Sequence, residues 1–178
     1  GAVSWIDNDN SLWLFGGVGL DSNGMFNSLN DLWKFDGTNW TWVSGSPTVD
    51  QTGTYSTKGT AAATNIPGAR YDAVSWRDSS GNLWIFGGNG HASGGQHVLN
   101  DLWKFDGTNW TWMSGSSSIN QAGEYVTKGL AAATNIPGAR GIAVPWIDNS
   151  GNIWLFGGCG NDSMGKWGYI NDLWKYQP

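Results

Sequence analysis

Short apolar runs separated by clusters of Gly, Asn, Asp and Ser dominate the chain. Leu12-Trp13-Leu14-Phe15 runs into Gly16-Gly17. It returns as Leu83-Trp84-Ile85-Phe86 before Gly87-Gly88, and as Ile153-Trp154-Leu155-Phe156 before Gly157-Gly158. Ahead of each lies a shorter run, Ala2-Val3-Ser4-Trp5, Ala73-Val74-Ser75-Trp76 or Ala143-Val144-Pro145-Trp146. Behind each comes Asp-Leu-Trp-Lys and an aromatic residue, starting at Asp31, Asp101 and Asp172. A fourth run, Trp40–Val43 and Trp110–Met113, follows the first two of these. Aromatic and β-branched runs bounded by turn residues predict strands. We denote them A, B, C and D in chain order. Asp36-Gly37-Thr38-Asn39 and Asp106-Gly107-Thr108-Asn109 predict tight C-to-D turns, and Asp78-Ser79-Ser80-Gly81-Asn82 predicts an A-to-B turn. The fold class expected is therefore all-β.

The whole set repeats with a period of about 70 residues, and residues 30–76 match residues 100–146 at roughly three quarters of positions. Repetition of this kind marks a repeat architecture. Residues 1–178 are expected to form one segment of three units, at about 1–45, 70–115 and 140–178, the last without its strand D.

The Gly pair closing strand B, an aromatic in strand C and a Trp in strand D together resemble the kelch repeat. In the first unit these are Gly16, Gly17, Phe35 and Trp42, and in the second Gly87, Gly88, Phe105 and Trp112. The third keeps Gly157, Gly158 and Tyr176. The resemblance spans the whole chain, although the period exceeds the usual kelch period of about 50 residues. It implies a β-propeller of four-stranded antiparallel blades, with just under three present. Propellers close with about 4–8 blades, so two readings stand: a piece of a longer propeller, or half of a six-bladed ring made by two chains. The chain opens inside an expected strand, without Met or a leader, which favours the first.

Composition narrows the functional classes. Gly (28) and Trp (14) are abundant, and charged residues make up only 13%, which suits a turn-rich β protein with an aromatic core and argues against disorder. The formal charge of −5, without a Lys/Arg cluster, argues against nucleic-acid binding. No apolar run approaches the roughly 20 residues of a membrane-spanning helix. Cys159 is the single cysteine, so no disulfide within the chain is possible. Low Lys with abundant Asn, Ser, Thr and Gly leads us to expect a secreted or cell-surface protein.

Strand direction alternates, so the short A–B and C–D turns share one face and the long B–C and D–A connections share the other. The B–C connections are expected as loops at 18–30, 89–100 and 159–171, and the D–A connections as loops at 44–70 and 114–140. Long loops on one face mark that face as the candidate binding surface. The D–A loops are near copies, which points to a bracing role. Arg70 and Arg140, at their ends, have two readings: a salt bridge or carbonyl contact, or an anion-holding position near the central channel. The B–C loops diverge and supply the candidate binding residues Met25, Phe26, His91, His97, Trp167 and Tyr169.

Catalytic readings find little support. Galactose oxidase carries a kelch-like propeller, but Cys159, His91 and His97 have no copper-site spacing. Residues 148–154 fall one position out of register with the Asp-box turn of sialidases. The Asp-rich stretches 7–10 and 21–24 lack a full calcium loop and read as β-turns. Asn39, Asn109 and Asn161 head glycosylation sequons. No cofactor, metal or catalytic residue is assigned. The expectation is a non-catalytic binding or scaffolding module whose partner is a protein, further copies of the chain or the remaining blades. A lectin-like carbohydrate binder and the propeller domain of an oxidoreductase are the alternatives.

Overall fold

The computed structural model describes residues 1–177, and every element in it is a strand. In unit 1, β1 (Val3–Ile6), β2 (Leu12–Leu20), β3 (Phe26–Phe35) and β4 (Trp40–Ser44) form one antiparallel meander in chain order. In unit 2, β7 (Val74–Arg77), β8 (Leu83–Phe86), β11 (Leu102–Phe105) and β12 (Trp110–Ser114) repeat it. A short strand from the preceding connection, β5 (Ala61–Ala62), adds to the outer edge of β12. In unit 3, β14 (Val144–Ile147), β15 (Ile153–Phe156) and β18 (Leu173–Tyr176) form a three-stranded sheet. Among the described residues, no sheet closes into a barrel.

The B–C connections differ from the loops expected. In unit 1 they are the paired outer halves of β2 and β3, in register from Gly17↔Leu29 to Leu20↔Phe26. In units 2 and 3 they are separate ribbons, β9 (Asn89–Ala92) with β10 (Gly95–Val98), and β16 (Cys159–Asn161) with β17 (Trp167–Tyr169). A two-residue strand completes each, β6 (Arg70–Tyr71) or β13 (Arg140–Gly141). Segments such as Asn89-Gly90-His91-Ala92 carry little β-propensity. Pairing, not side-chain pattern, makes them strands. The Gly pair is where the ribbon departs from the sheet, and Gly16, Gly17, Gly87, Gly88, Gly157 and Gly158 all have φ between 62° and 102°.

Adjacent units pack sheet on sheet. Val3, Trp5, Trp13, Phe15 and Leu32 of unit 1 meet Leu83, Ile85, Trp103, Phe105 and Trp110 of unit 2. The opposite face of unit 2, with Val74, Trp76, Trp84, Phe86 and Leu102, meets Ile153, Leu155, Trp174 and Tyr176. Both faces of the middle sheet are thus buried, which is why its strands carry apolar residues at successive positions.

The expected turns are present and stapled by carboxylates. Asp36 Oδ1 accepts the Thr38 and Asn39 backbone N–H groups, each at 2.8 Å. The A–B turns add a device the sequence did not announce. Asp7, Asp78 and Asp148 each accept the indole N–H of the strand-B tryptophan six residues on, at 2.9, 2.8 and 2.9 Å. Burial pushes the Asp7 carboxyl up, but hydrogen bonds from Trp13, the Ser11 backbone, Lys34 and the Asp9 backbone outweigh it and hold it at about 2. A carboxylate depressed in the folded state stabilises the fold above its unfolded pKa, and that contribution disappears as pH falls through the folded value. Stability is therefore expected to hold down to about pH 4 and to fall between there and about pH 2. Urea unfolding at stepped pH checks this, and Asp7→Asn should flatten part of the slope.

Candidate functional site

The long-connection face is built on the D–A segments, which lace neighbouring units together. Asp50 binds unit 1 through Asn27 Nδ2 at 2.9 Å and Ser28 Oγ at 3.1 Å. Gly53 N then donates to the His91 carbonyl of unit 2, and β5 joins the outer edge of β12. The bracing role expected of this segment is thus visible as hydrogen bonds between units.

At the end of each segment stands an arginine held in an ion pair. Arg70 is 1% exposed. Its guanidinium meets Asp101 bidentately at 2.7 and 2.7 Å, and donates to the Gly68 and Gly87 carbonyls at 3.0 Å each. Tyr55 Oη and Trp103 Nε1 complete the Asp101 carboxylate at 2.7 and 2.6 Å. Unit 3 repeats the cluster with Arg140, Asp172, Tyr125 and Trp174. Burial and the hydrogen bond to Asp172 push the Tyr125 phenol up to about 12. Arg70 and Arg140 take the salt-bridge and carbonyl contacts that were one of the two roles expected of them, with four of the five N–H donors of each guanidinium bonded to carboxylate and carbonyl oxygens. Tyr55, Tyr125, Asp101 and Asp172 were not singled out from sequence, although each recurs in register within the repeat.

The ribbons project from this laced base. Asp21 closes the first ribbon's turn, accepting Asn23 N and Met25 N at 2.8 and 2.9 Å. Met25 and Phe26 are exposed at its tip beside Leu20 and Val18. Asp162 closes the third ribbon in the same way, through Met164 N and Lys166 N. Trp167 and Tyr169 are placed on a strand, β17, not in a loop, and they alternate onto one side of it. Tyr169 is 94% exposed. The second and third ribbons touch where the His97 ring meets the Trp167 ring edge-on at 5.5 Å. A shallow cleft opens between Tyr125, Asp162, Tyr169, Asn171 and Asp172.

His91 is separated from this group. Its Nε2 lies 3.1 Å from Asp50 Oδ1, too oblique for a hydrogen bond, and its carbonyl receives the D–A segment. Asn161, head of a glycosylation sequon, is buried and donates its amide to the Asn120 carbonyl. Among the described residues, no group of three or more His, Cys, Asp or Glu side chains is placed to hold a metal ion. No helix among them is long and apolar enough to cross a membrane. Of the repeat-signature aromatics, Phe105 is buried, Phe35 and Tyr176 are half-buried, and Trp112 packs under Tyr55 and Lys58. Trp42 is exposed.

No family model and no curated protein matches the chain. Among solved structures it is similar to the one titled "Structure of YjhT", at 21% identity and a TM-score of 0.51. The match covers 89% of this chain and 34% of that one, so the chain spans about a third of the structure it resembles. At that identity the likeness concerns the fold.

Proposed function

We propose that the three units are blades of a kelch-type β-propeller, and that the chain is a non-catalytic binding or scaffolding module for a protein partner, presented on the ribbon face. One observation carries this reading. Val18, Leu20, Met25, Phe26, Met164, Trp167 and Tyr169 stand exposed on ribbons that emerge from the same end of the sheets. An apolar set displayed on a rigid, hydrogen-bonded base is the usual form of an interaction site. The richest polar groups of the chain, the Arg–Asp–Tyr–Trp clusters, are spent on one another, which supports a scaffold over a reaction centre. The low charge and Asn/Ser/Thr/Gly-rich composition support a secreted or cell-surface setting.

The test is retention of extracellular proteins from the source organism on immobilised chain. The triple variant Phe26→Ser, Trp167→Ser, Tyr169→Ser is expected to lose the retained partner while its unfolding free energy stays within about 1.5 kcal/mol of the parent, about 0.5 kcal/mol for each exposed side chain. Equal retention by the triple variant would sink the proposal. A carbohydrate-binding reading draws on a separate observation: Trp167 and Tyr169 share one side of β17, and Tyr169 lines a polar cleft. Glycan-array binding lost in Trp167→Ala, with protein retention unaffected, would favour it.

A further inference from the structure

The seam between units 1 and 2 and the seam between units 2 and 3 share one design and differ in the side chains that cross them. In each, the D–A segment enters with a residue in left-handed backbone, Asp50 at φ 61° and Asn120 at φ 59°. Its N–H donates to the ribbon of the unit before, Asp50 N to Ser28 O and Asn120 N to Val98 O, both at 2.9 Å. Three residues on, Gly53 N and Gly123 N donate to the ribbon of the unit after, at the His91 and Asp162 carbonyls.

In the second seam the crossing pair is neutral: Asn161 Nδ2 donates to the Asn120 carbonyl at 2.8 Å. In the first, the same two positions hold His91 and Asp50. The imidazole Nε2 is shielded from water and makes no hydrogen bond, and Asp50 Oδ1 stands 3.1 Å from it. Asp50 also accepts Asn27 Nδ2 and Ser28 Oγ of the first ribbon, at 2.9 and 3.1 Å. The carboxylate is thus bonded to the first ribbon and only near the second.

Among the described residues, Asp50 is the one charged group within ion-pair distance of the imidazole. β10 sets the uncharged Gln96 across from His91. On the other side β9 meets β6, whose Arg70 guanidinium is bound to Asp101. Gln51, next in the D–A segment, is uncharged and turned to the Thr48 hydroxyl and the Val49 carbonyl. A neutral imidazole beside a carboxylate gains at most an ordinary hydrogen bond, and here the atoms are misaligned for it. Protonation adds a positive charge and a second donor. A charge-assisted bond is about twice as strong as a neutral one, and the broad ring torsion of histidine allows the turn that aligns it. Histidine is the side chain that changes charge between about pH 5 and 8.

We infer that His91 and Asp50 are a proton-operated latch across the first seam. Acidification fastens the first ribbon, with Met25 and Phe26 at its tip, to the second, and the neutral second seam does not respond. A cation beside Asp50 is favoured in the closed seam over the open one, so closure takes up a proton and weakens as pH rises. The bearing of the latch on partner binding rests on the ribbon-face reading above; the latch itself does not.

Amide hydrogen exchange of the 178-residue chain, resolved by residue and corrected for the intrinsic effect of pH, tests this at about pH 5.5 and about pH 8. Protection at Asp50 and Gly53 is expected to rise about fivefold at the lower pH relative to Asn120 and Gly123, the corresponding amides of the second seam. His91→Asn and Asp50→Asn each install the residue found at the matching position of the second seam. Both are therefore expected to fold and to abolish the relative rise, while His97→Gln should keep it. Two seams that respond alike in the parent chain, or a relative rise that survives in His91→Asn or is lost in His97→Gln, would overturn the inference. Exchange is read without any partner. A ribbon face that bound nothing would leave the latch standing, and a first seam indifferent to pH would overturn the latch but leave the binding reading standing.

Discussion

Asp101→Ala is expected to destabilise the chain by about 3–5 kcal/mol, the usual cost of stranding one member of a buried ion pair. The Asp101 side chain is fully buried and that of Arg70 is 1% exposed. Removing the carboxylate leaves a guanidinium out of water with only the Gly68 and Gly87 carbonyls to receive it. It also orphans the Tyr55 hydroxyl and the Trp103 indole N–H. Folded domains are stable by only about 5–15 kcal/mol, so the loss is a large share of the total. The repeat supplies its own controls. Asp172, in the equivalent position, is 15% exposed on its side chain, so Asp172→Ala should cost less because water reaches the vacated site. Asp31 accepts only the Trp33 indole among the described residues, and Asp31→Ala should cost about 1 kcal/mol. Urea unfolding followed by circular dichroism would order the three variants. If Asp101→Ala proved no worse than Asp31→Ala, the buried pair would not hold the units as described. Replacing Arg70 and Asp101 together by Met and Leu should recover part of the loss, since the isolated charge is then gone.

Gly87→Ala is expected to cost about 2–5 kcal/mol by summing two independent penalties. Its φ of +64° charges an L-residue about 1–2 kcal/mol. A Cβ there would also meet the Arg140 carbonyl oxygen and stand 3.0 Å from the Leu99 carbonyl oxygen, and overpacking of that kind adds about 1–3 kcal/mol. The Arg140 carbonyl also accepts Gly88 N at 2.8 Å, so the added methyl pushes unit 3 away from unit 2 at their hydrogen-bonded seam. Gly157 has the same φ of +64°, but among the described residues a Cβ there meets only the Ile170 carbonyl, at 3.0 Å. Gly157→Ala should therefore show little beyond the backbone penalty. Equal midpoint shifts for the two variants would mean that the glycine pair serves backbone conformation alone and not the approach of the next unit.

Much of the fold was legible because the repeat carried it. Leu83-Trp84-Ile85-Phe86 and its copies reveal strand B through apolar content, and Asp36-Gly37-Thr38-Asn39 reveals its turn through side-chain chemistry, both local properties. The ribbons were not legible as strands, because Asn89-Gly90-His91-Ala92 has no apolar alternation and becomes a strand only by pairing with β10 and β6. Of the candidate residues, Met25, Phe26, Trp167 and Tyr169 stand exposed on the ribbons, and His97 meets Trp167 across two units. Arg70 and Arg140 show the limit. An arginine at the end of a long connection reads equally as a ligand contact or an ion pair, and only the partner 31 or 32 residues away decides it.

The sequence by itself determined the all-β class, the four-run unit, its recurrence and the positions of most turns, because each depends on neighbours a few residues apart. Tertiary structure alone decided which side chains are spent and which are offered. Trp110 is buried against unit 1 and Trp40, in the same place of the repeat, is exposed, since burial depends on whether another sheet lies opposite. Ala61-Ala62 becomes a strand because β12 is there to pair with it. Among the described residues, the matching residues 131–132 have no strand to pair with.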